Sequence, residues 1–285
     1  MRLFQKICFP LALSLAVALF GIFSHLSVPA STQPDEAGIA LPILMYHHIL
    51  KETARLNAYT ISPDEFRQDM QYLQDAGYTP ILISDLLDYV YDGLPLPEKP
   101  VMITFDDGYE SFYAYAFPIL EEYGFPAVFS IVGTYADQYT LADDHHVRYS
   151  HCTWNQLALL QESGLVEIQN HSYDLHKTDQ GRRGSSKKPG EDAAAYQEML
   201  HSDLLKLQME CSEYLSGWVP TCYTYPFGFI SEEALPVIRE LGFSCALTCR
   251  ERVNQITKDP EDLYHLGRFN RPHGKSAQTI LEAAG

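Results

Sequence analysis

Val101-Met102-Ile103-Thr104-Phe105-Asp106-Asp107-Gly108-Tyr109 passes without a break from an apolar run into two adjacent carboxylates and a glycine. The run Val101 to Phe105 reads as a buried strand, because its length and its β-branched and aromatic content suit a strand better than a helix. The chain on either side alternates such strands with helical patterns. Upstream, Ile43 to Tyr46 is a short apolar strand. Ser62-Pro63-Asp64-Glu65 then opens a helix: Ser caps, Pro takes the first helical position and Glu65 completes a capping box, with Gly77 ending the turn. A strand over Ile81 to Ile83 and a helix capped by Ser84 follow. Downstream, a helix through Phe117 and Leu120 ends at Gly124, and a strand runs from Ala127 to Val132. Thr153 and Gln156 cap a further helix, Val166 to Gln169 is a strand, and a long helix spans about Asp192 to Leu215. Cys222 to Tyr225, the segment through Ala246 and the segment Leu263 to Phe269 read as strands, with a helix from Ser231 to Gly242 between the first two. Strands that alternate with helices pair in parallel through right-handed crossovers. About seven such units predict an α/β fold with a closed or nearly closed barrel. Lys177 to Gly190 is basic and rich in Gly and Ser, and reads as a mobile surface loop.

In a parallel barrel, functional residues gather where strands end and loops begin. Asp106 and Asp107 stand at such an end. Two buried anions side by side are costly unless a cation or a shared proton relieves them. A divalent metal on one carboxylate would do so and keep the other ionised as a base, whereas a surface Asp-Asp-Gly turn would need neither. Asn170-His171-Ser172-Tyr173-Asp174-Leu175-His176 follows the strand Val166 to Gln169. Two imidazoles on one loop, joined to one carboxylate, make a set that leaves coordination positions for water. The strand Ile43 to Tyr46 ends in His47 and His48, where a histidine can pass a proton to a leaving group or can be a hydrogen-bonded core residue.

The chain of 285 residues carries 46% hydrophobic and 20% charged residues, ordinary for a globular protein with a core, and a formal net charge of -17. That acidity argues against a bare nucleic-acid partner, whose phosphates call for Lys and Arg, and against broad adhesion to anionic lipid. Arg2 and Lys6 precede an apolar run from Ile7 to Phe23, and small residues follow up to Ala30. This is the pattern of a secretory signal or an N-terminal membrane anchor. Residues 1–30 are therefore expected to direct export, residues 31–41 to form a linker and residues 42–285 to form the catalytic domain. Cys152, Cys211, Cys222, Cys245 and Cys249 match no zinc spacing. A Cys211–Cys222 or Cys245–Cys249 bridge and buried free thiols both stay open.

Taken together, Thr104-Phe105-Asp106-Asp107-Gly108-Tyr109 and the later histidine motif resemble the polysaccharide deacetylase family, the NodB-homology group or carbohydrate esterase family four. The resemblance runs from about Pro42 to Phe269. It implies a distorted (β/α) barrel in which Asp106 is the catalytic base and Asp107, His171 and His176 hold a divalent metal. Zinc suits that ligand set, as would cobalt, nickel or iron. The usual motif sets the two histidines four apart. Here they are five apart, as in relatives resembling biofilm poly-N-acetylglucosamine deacetylases, which also begin with a Tyr-His strand and use its His as the acid. That implies His47 as the acid, with His48 as the alternate. The family's Arg-x-Pro-Tyr stretch here reads Thr224-Tyr225-Pro226-Phe227-Gly228. The Arg that braces the catalytic Asp is missing, while the backbone N–H that contacts the oxyanion falls to Phe227. The family's late Leu-x-x-His stretch is replaced by Leu266-Gly267-Arg268-Phe269, and Arg268 is a candidate to brace or bind at the site. Tyr109, Tyr173 and Tyr225 are expected on the substrate-binding rim, since aromatic faces stack on sugar rings.

The implied activity is metal-dependent release of acetate from an N-acetylglucosamine-containing extracellular polysaccharide, of the peptidoglycan or poly-N-acetylglucosamine type. The expected partner is that polymer, with membrane contact only through an uncleaved N-terminus and a location outside the cell or at its surface. Two alternatives stay open: an O-acetyl esterase of the xylan type, and an inactive carbohydrate-binding homologue.

Overall fold

Strand β1 (Ile39–Leu41) is followed by β2 (Ile43–Tyr46), β3 (His48–Ile49) and β4 (Thr60–Ile61) in the computed structural model, which describes residues 38–179 and 181–285. The expected export segment, residues 1–30, lies outside the described residues. Of the expected linker, Ile39–Leu41 forms a strand that pairs antiparallel with Asn254–Ile256 rather than a connector.

Helix α1 (Pro63–Asp75) begins as the sequence requires: Ser62 Oγ accepts the Glu65 N–H and Glu65 accepts the Ser62 N–H. Its apolar stripe of Phe66, Met70 and Leu73 is buried. Strand β5 (Thr79–Pro80) precedes α2 (Ile83–Leu87), so the strand expected over Ile81 to Ile83 gives way to the first turn of a helix. The cap there is the Asp85 carboxylate on the Leu82 N–H, not Ser84. The Ser84 N–H and hydroxyl are instead spent on buried Glu167, at 3.1 and 2.7 Å. Strand β6 (Pro100–Phe105), α3 (Phe117–Tyr123), β7 (Ala127–Ile131), α4 (Gly133–Ala142), α5 (Trp154–Glu162), β8 (Val166–Asn170) and α6 (Ala193–Tyr214) follow. Thr153 and Gln156 form the expected capping box, and Asp192 caps α6.

The last third holds β9 (Cys222–Thr224), α7 (Ala234–Glu240), β10 (Cys245–Leu247), β11 (Asn254–Ile256), β12 (Phe269–Asn270) and α8 (Ala277–Ala284). Leu263 to Phe269, expected as one strand, is a 3-10 turn over Pro260–His265 followed by a short strand, because Pro260 and the Asp259 side-chain cap start the turn. Cys152, Cys211, Cys222, Cys245 and Cys249 are all free thiols, so neither bridge forms.

The strands order as β10-β9-β8-β7-β6-β2-β12, every pairing parallel, with β5 beside the first two residues of β6. This is the distorted (β/α) barrel. Its two ends are bridged by one stretch: Leu266 pairs beside Leu247 of β10, and Phe269 and Asn270 pair beside Leu44 and Met45 of β2. Arg268 lies midway across that gap. Beneath the strand ends, Tyr46, Phe66, Phe105, Phe112 and Phe129 form a continuous aromatic stack with centroids 4.1 to 5.3 Å apart. Truncating Phe105 to alanine would cost about 3–5 kcal/mol through lost burial and the cavity left behind.

Candidate active site

The end of β6 delivers both carboxylates to the barrel mouth. The Asp106 N–H still bonds the Tyr46 carbonyl at 3.0 Å, continuing the ladder. Asp107 then turns with φ 74° and Gly108 with φ 79°, left-handed conformations that swing the two side chains in different directions. Such a conformation is unfavourable for a residue with a Cβ and persists only where its surroundings hold it.

Asp106 meets Arg268. The guanidinium terminal nitrogens lie 2.7 Å from each carboxylate oxygen, and Nε donates to the Thr248 carbonyl at 3.0 Å. Burial pushes the Asp106 carboxyl up, but the adjacent Arg268 charge and hydrogen bonds bring it below the usual range. Arg268 is fully buried, so it braces Asp106 and does not bind substrate as one of the sequence expectations had it.

Asp107 meets the histidine loop. Its Oδ1 lies 3.0 Å from His176 Nε2 and 3.5 Å from His171 Nε2. The His171 Nδ1–H donates to the Thr224 carbonyl at 2.8 Å, which leaves its Nε2 lone pair facing Asp107. Asp107 Oδ1 is buried without a hydrogen bond, and the three ligand atoms lie within 4.8 Å of one another. One orphaned oxygen and two imidazole nitrogens aimed at a common point fit a divalent cation, and nitrogen with carboxylate oxygen is the donor chemistry of a catalytic zinc site. Burial raises the Asp107 carboxyl, and the His171 and His176 rings against it reverse this to hold it well below the ordinary range.

His47, His48 and Tyr109 line the same cleft, of about 850 Å³, with Asp106, Asp107, His171, His176 and Phe227. His47 Nδ1 is buried without a partner, and burial lowers the ring's pKa against the pull of Asp107 and Asp106. His48 is differently placed: Nδ1 is 2.6 Å from Ser111 Oγ and Nε2 is 3.1 Å from the Arg148 carbonyl, so both ring nitrogens are engaged. Tyr109 is sandwiched between the His48 and His151 rings, at 4.2 and 4.6 Å. Phe227, at φ 57° and 43% exposed, stacks its ring on His176 at 4.4 Å.

Two expected rim residues are elsewhere. Tyr225 is 1% exposed and packs edge-on against Tyr223 at 4.9 Å, because residues of β9 and its extension point into the core. Tyr173 turns behind the histidine loop. Its hydroxyl donates to Asp137 at 2.8 Å, and its ring lies so close to Gly133 that a Cβ there would meet it at 2.4 Å. The cleft is instead lined by Arg183 and by Tyr59, Thr178, Phe229, Cys249 and Asn270, the last five of which the sequence reading did not place there. Arg183 and Thr178 belong to the basic segment expected to be a mobile surface loop. That segment is pinned instead: the Gly184 N–H bonds the Lys177 carbonyl, Tyr196 donates to the Ser185 carbonyl, and the Lys187 N–H bonds Ser231. Its Gly and Ser content signalled close packing, since a Cβ on Gly184 would lie 2.7 Å from the Pro226 carbonyl.

Residues 93–246, more than half of the chain, match the polysaccharide deacetylase family, and the chain belongs to that family. Among its relatives, the poly-beta-1,6-N-acetyl-D-glucosamine N-deacetylase of Escherichia coli K12 is 30% identical over 226 residues, covering 72% of this chain and 33% of that protein. This chain thus spans about a third of the length of that relative. The enzyme of the same name from Staphylococcus aureus MSSA476 is 23% identical over 217 residues, with 76% and 70% covered. The structure of IcaB from Ammonifex degensii superimposes with a TM-score of 0.69 at 28% identity, covering 87% of this chain and 96% of that one. A de-N-acetylase from Aggregatibacter actinomycetemcomitans shares the fold with a TM-score of 0.74 at 24% identity, covering 86% and 99%.

Proposed function

We propose that this chain is a divalent-metal-dependent hydrolase that removes N-acetyl groups from a polymer of N-acetylglucosamine, of the poly-β-1,6-linked type. The observation that carries the reading is the convergence of Asp107, His171 and His176 on one point beside an Arg268-braced Asp106. Asp107, His171 and His176 would hold the metal, for which zinc is the first candidate. When bound, that metal supplies Lewis acidity for the acetyl carbonyl and a lowered pKa for water.

The chain's own residues supply the rest. Asp106, kept ionised by Arg268, accepts a proton from the attacking water. The Phe227 N–H donates to the oxygen that gains negative charge. His47, in the same cleft, delivers a proton to the nitrogen from its protonated ring, a form that the Asp107 and Asp106 charges favour against burial, since an amide nitrogen leaves poorly as an anion. The Phe227 ring and Tyr59, 59% exposed, offer faces for sugar rings. A missing family Arg would suit an inactive carbohydrate-binding homologue. The Arg268 contact, reached from the other end of the barrel, favours a working one. The basic, apolar start of the chain supports export, and with it a polymer outside the cell.

The test is acetate release by the purified full chain from β-1,6-linked N-acetylglucosamine oligomers, chitin oligomers, peptidoglycan and acetylated xylan, with zinc or cobalt added. Metal-dependent acetate from the β-1,6 oligomers, lost in Asp106→Ala, supports the proposal. Acetate from xylan alone would move the chain to the esterase reading.

A further inference from the structure

The two histidines of the site sit at the ends of a tight loop, and the middle of that loop is held from behind by one side chain. Asp203, on α6, accepts the Tyr173 N–H on Oδ1 and the Asp174 N–H on Oδ2, both at 2.8 Å. These are consecutive backbone donors at the centre of the interval from His171 to His176. The rest of the loop is fixed along its length up to this point: the Gly133 and Thr134 N–H groups bond the Ser172 and Tyr173 carbonyls, and Ser172 takes φ 75°. His171 has its own anchor in the Thr224 carbonyl. His176 lies beyond the pinned turn: the Leu175 N–H before it bonds Ser172 Oγ, its own carbonyl accepts from the Tyr135 hydroxyl at 3.4 Å, and its ring stands 3.0 Å from Asp107 and leans on Phe227.

We propose that Asp203 is a positioning residue for the metal centre: by clamping the Tyr173–Asp174 turn it fixes the spacing of His171 and His176 relative to Asp107, and so sets the affinity and geometry of the metal. This rests on the metal-dependent reading above. A carboxylate suits the task because it presents two acceptor oxygens to two adjacent donors. An asparagine would present one acceptor and turn a donor toward the other N–H. The fold tolerates a charge in an unfavourable place to achieve this. Burial raises the Asp203 carboxyl to about 6 in spite of the two backbone N–H groups, with Asp174 pushing the same way and Lys177 opposing. Nearby α6 residues support the same loop: Asn170 Nδ2 donates to the Leu204 carbonyl at 3.1 Å, and Lys206 Nζ stands 3.4 Å over the Tyr173 ring.

The experiment measures zinc affinity of the full chain by competition with a chromophoric chelator, for wild type, Asp203→Ala and Asp203→Asn. The visible spectrum of each cobalt-loaded form and the melting temperature of each metal-free form are read alongside. Zinc binding is expected to weaken roughly ten- to a hundredfold in Asp203→Ala, as for other partners that orient metal ligands. A smaller loss is expected in Asp203→Asn, and the cobalt bands should shift in both. If Asp203→Ala fails to fold, Asp203→Asn, of nearly the same shape, decides. A folded variant with a lowered melting temperature but unchanged zinc affinity and cobalt spectrum would make Asp203 a stabilising residue only and overturn the proposal. A wild-type chain that binds no zinc or cobalt would bring down the metal reading itself, and this inference with it.

Discussion

Arg268 and Asp106 stand 162 positions apart in sequence and face each other with both guanidinium terminal nitrogens 2.7 Å from the two carboxylate oxygens. Arg268 is fully buried and Asp106 shows only 2% of its surface, at the floor of the cleft, so each is a main source of compensation for the other's burial. Replacing Arg268 by alanine would leave a buried, unpaired carboxylate. Stability should fall by about 3–5 kcal/mol, read as a drop in denaturant midpoint. Arg268→Lys keeps the charge but not the fork that grips both oxygens, so the proposed acetate release should fall while the protein stays folded. Activity equal to wild type in Arg268→Lys would show that the bracing has no catalytic consequence.

Neighbouring Asp106 and Asp107 should separate cleanly in function. Asp106→Asn is expected to keep metal and lose turnover by roughly a hundred- to ten-thousand-fold, the worth of a well-placed base. Asp107→Asn should instead lose metal, because the orphaned Oδ1 facing both histidines is the proposed ligand atom. Metal content by elemental analysis, set against acetate release, distinguishes them. Equal metal loss in both variants would contradict the division of labour.

A chelator in excess should abolish acetate release, and zinc or cobalt should restore it. Release that persists after metal analysis shows an empty protein would refute the metal reading.

Glu65, which does not line the cleft, offers a pH test of stability. It caps α1 and accepts from Arg271 and the Gly274 N–H, with His273 against it, tying the C-terminal segment to the first helix. Burial raises its carboxyl, yet these hydrogen bonds together bring it down to about 2. A depressed folded-state value contributes stability above the unfolded value of about 4.3, and the contribution fades as pH falls toward 2. Glu65→Gln should therefore lower the melting temperature at pH 7 and differ progressively less from wild type below pH 4. A difference that is constant with pH would exclude this account.

Gly228 follows Phe227 with φ 70°, and a Cβ there would lie 2.7 Å from Cys249 Cβ and 2.9 Å from its Sγ. Gly228→Ala should lower stability by about 1–3 kcal/mol through overpacking, and should impair activity by displacing the Phe227 stack on His176. Full activity with unaltered stability would mean that the segment adapts without disturbing the cleft.

Much of this arrangement was legible before any coordinates. The apolar strands, the Ser62 and Thr153 capping boxes and the polar clusters at strand ends are local signals, and they placed most elements correctly, the strands read over Ile81 to Ile83 and Leu263 to Phe269 being the exceptions. Asp107, His171 and His176 were legible because two residues of one loop and one of another strand end converge in a parallel barrel. What escaped depends on partners far away in sequence. Ser84 reads as a cap until Glu167 claims its N–H and hydroxyl. Tyr173 and Tyr225 flank the right motifs, but strand register and the space left by Gly133 turn them away from the cleft. Arg268 was placed near the site by motif position, while its burial could not be read from a strand only two residues long. The pinned loop from Lys177 to Gly190 looked mobile because its anchors, Tyr196, Ser231 and Pro226, lie outside it.

Of the five non-glycine residues with positive φ among the described residues, Asp107, Ser172 and Phe227 all belong to the cleft and the loops that shape it. Each such conformation costs about 1–3 kcal/mol, which the rest of the barrel must offset. Glycine would relieve that cost at each position, but it would remove the Asp107 carboxylate, the Ser172 hydroxyl that accepts the Leu175 N–H and the Phe227 ring that stacks on His176. A laboratory selection for heat tolerance alone would therefore be drawn to these three sites and drift toward hardy, inert barrels. Selection for the proposed acetate release would hold the protein below the stability its backbone could otherwise reach.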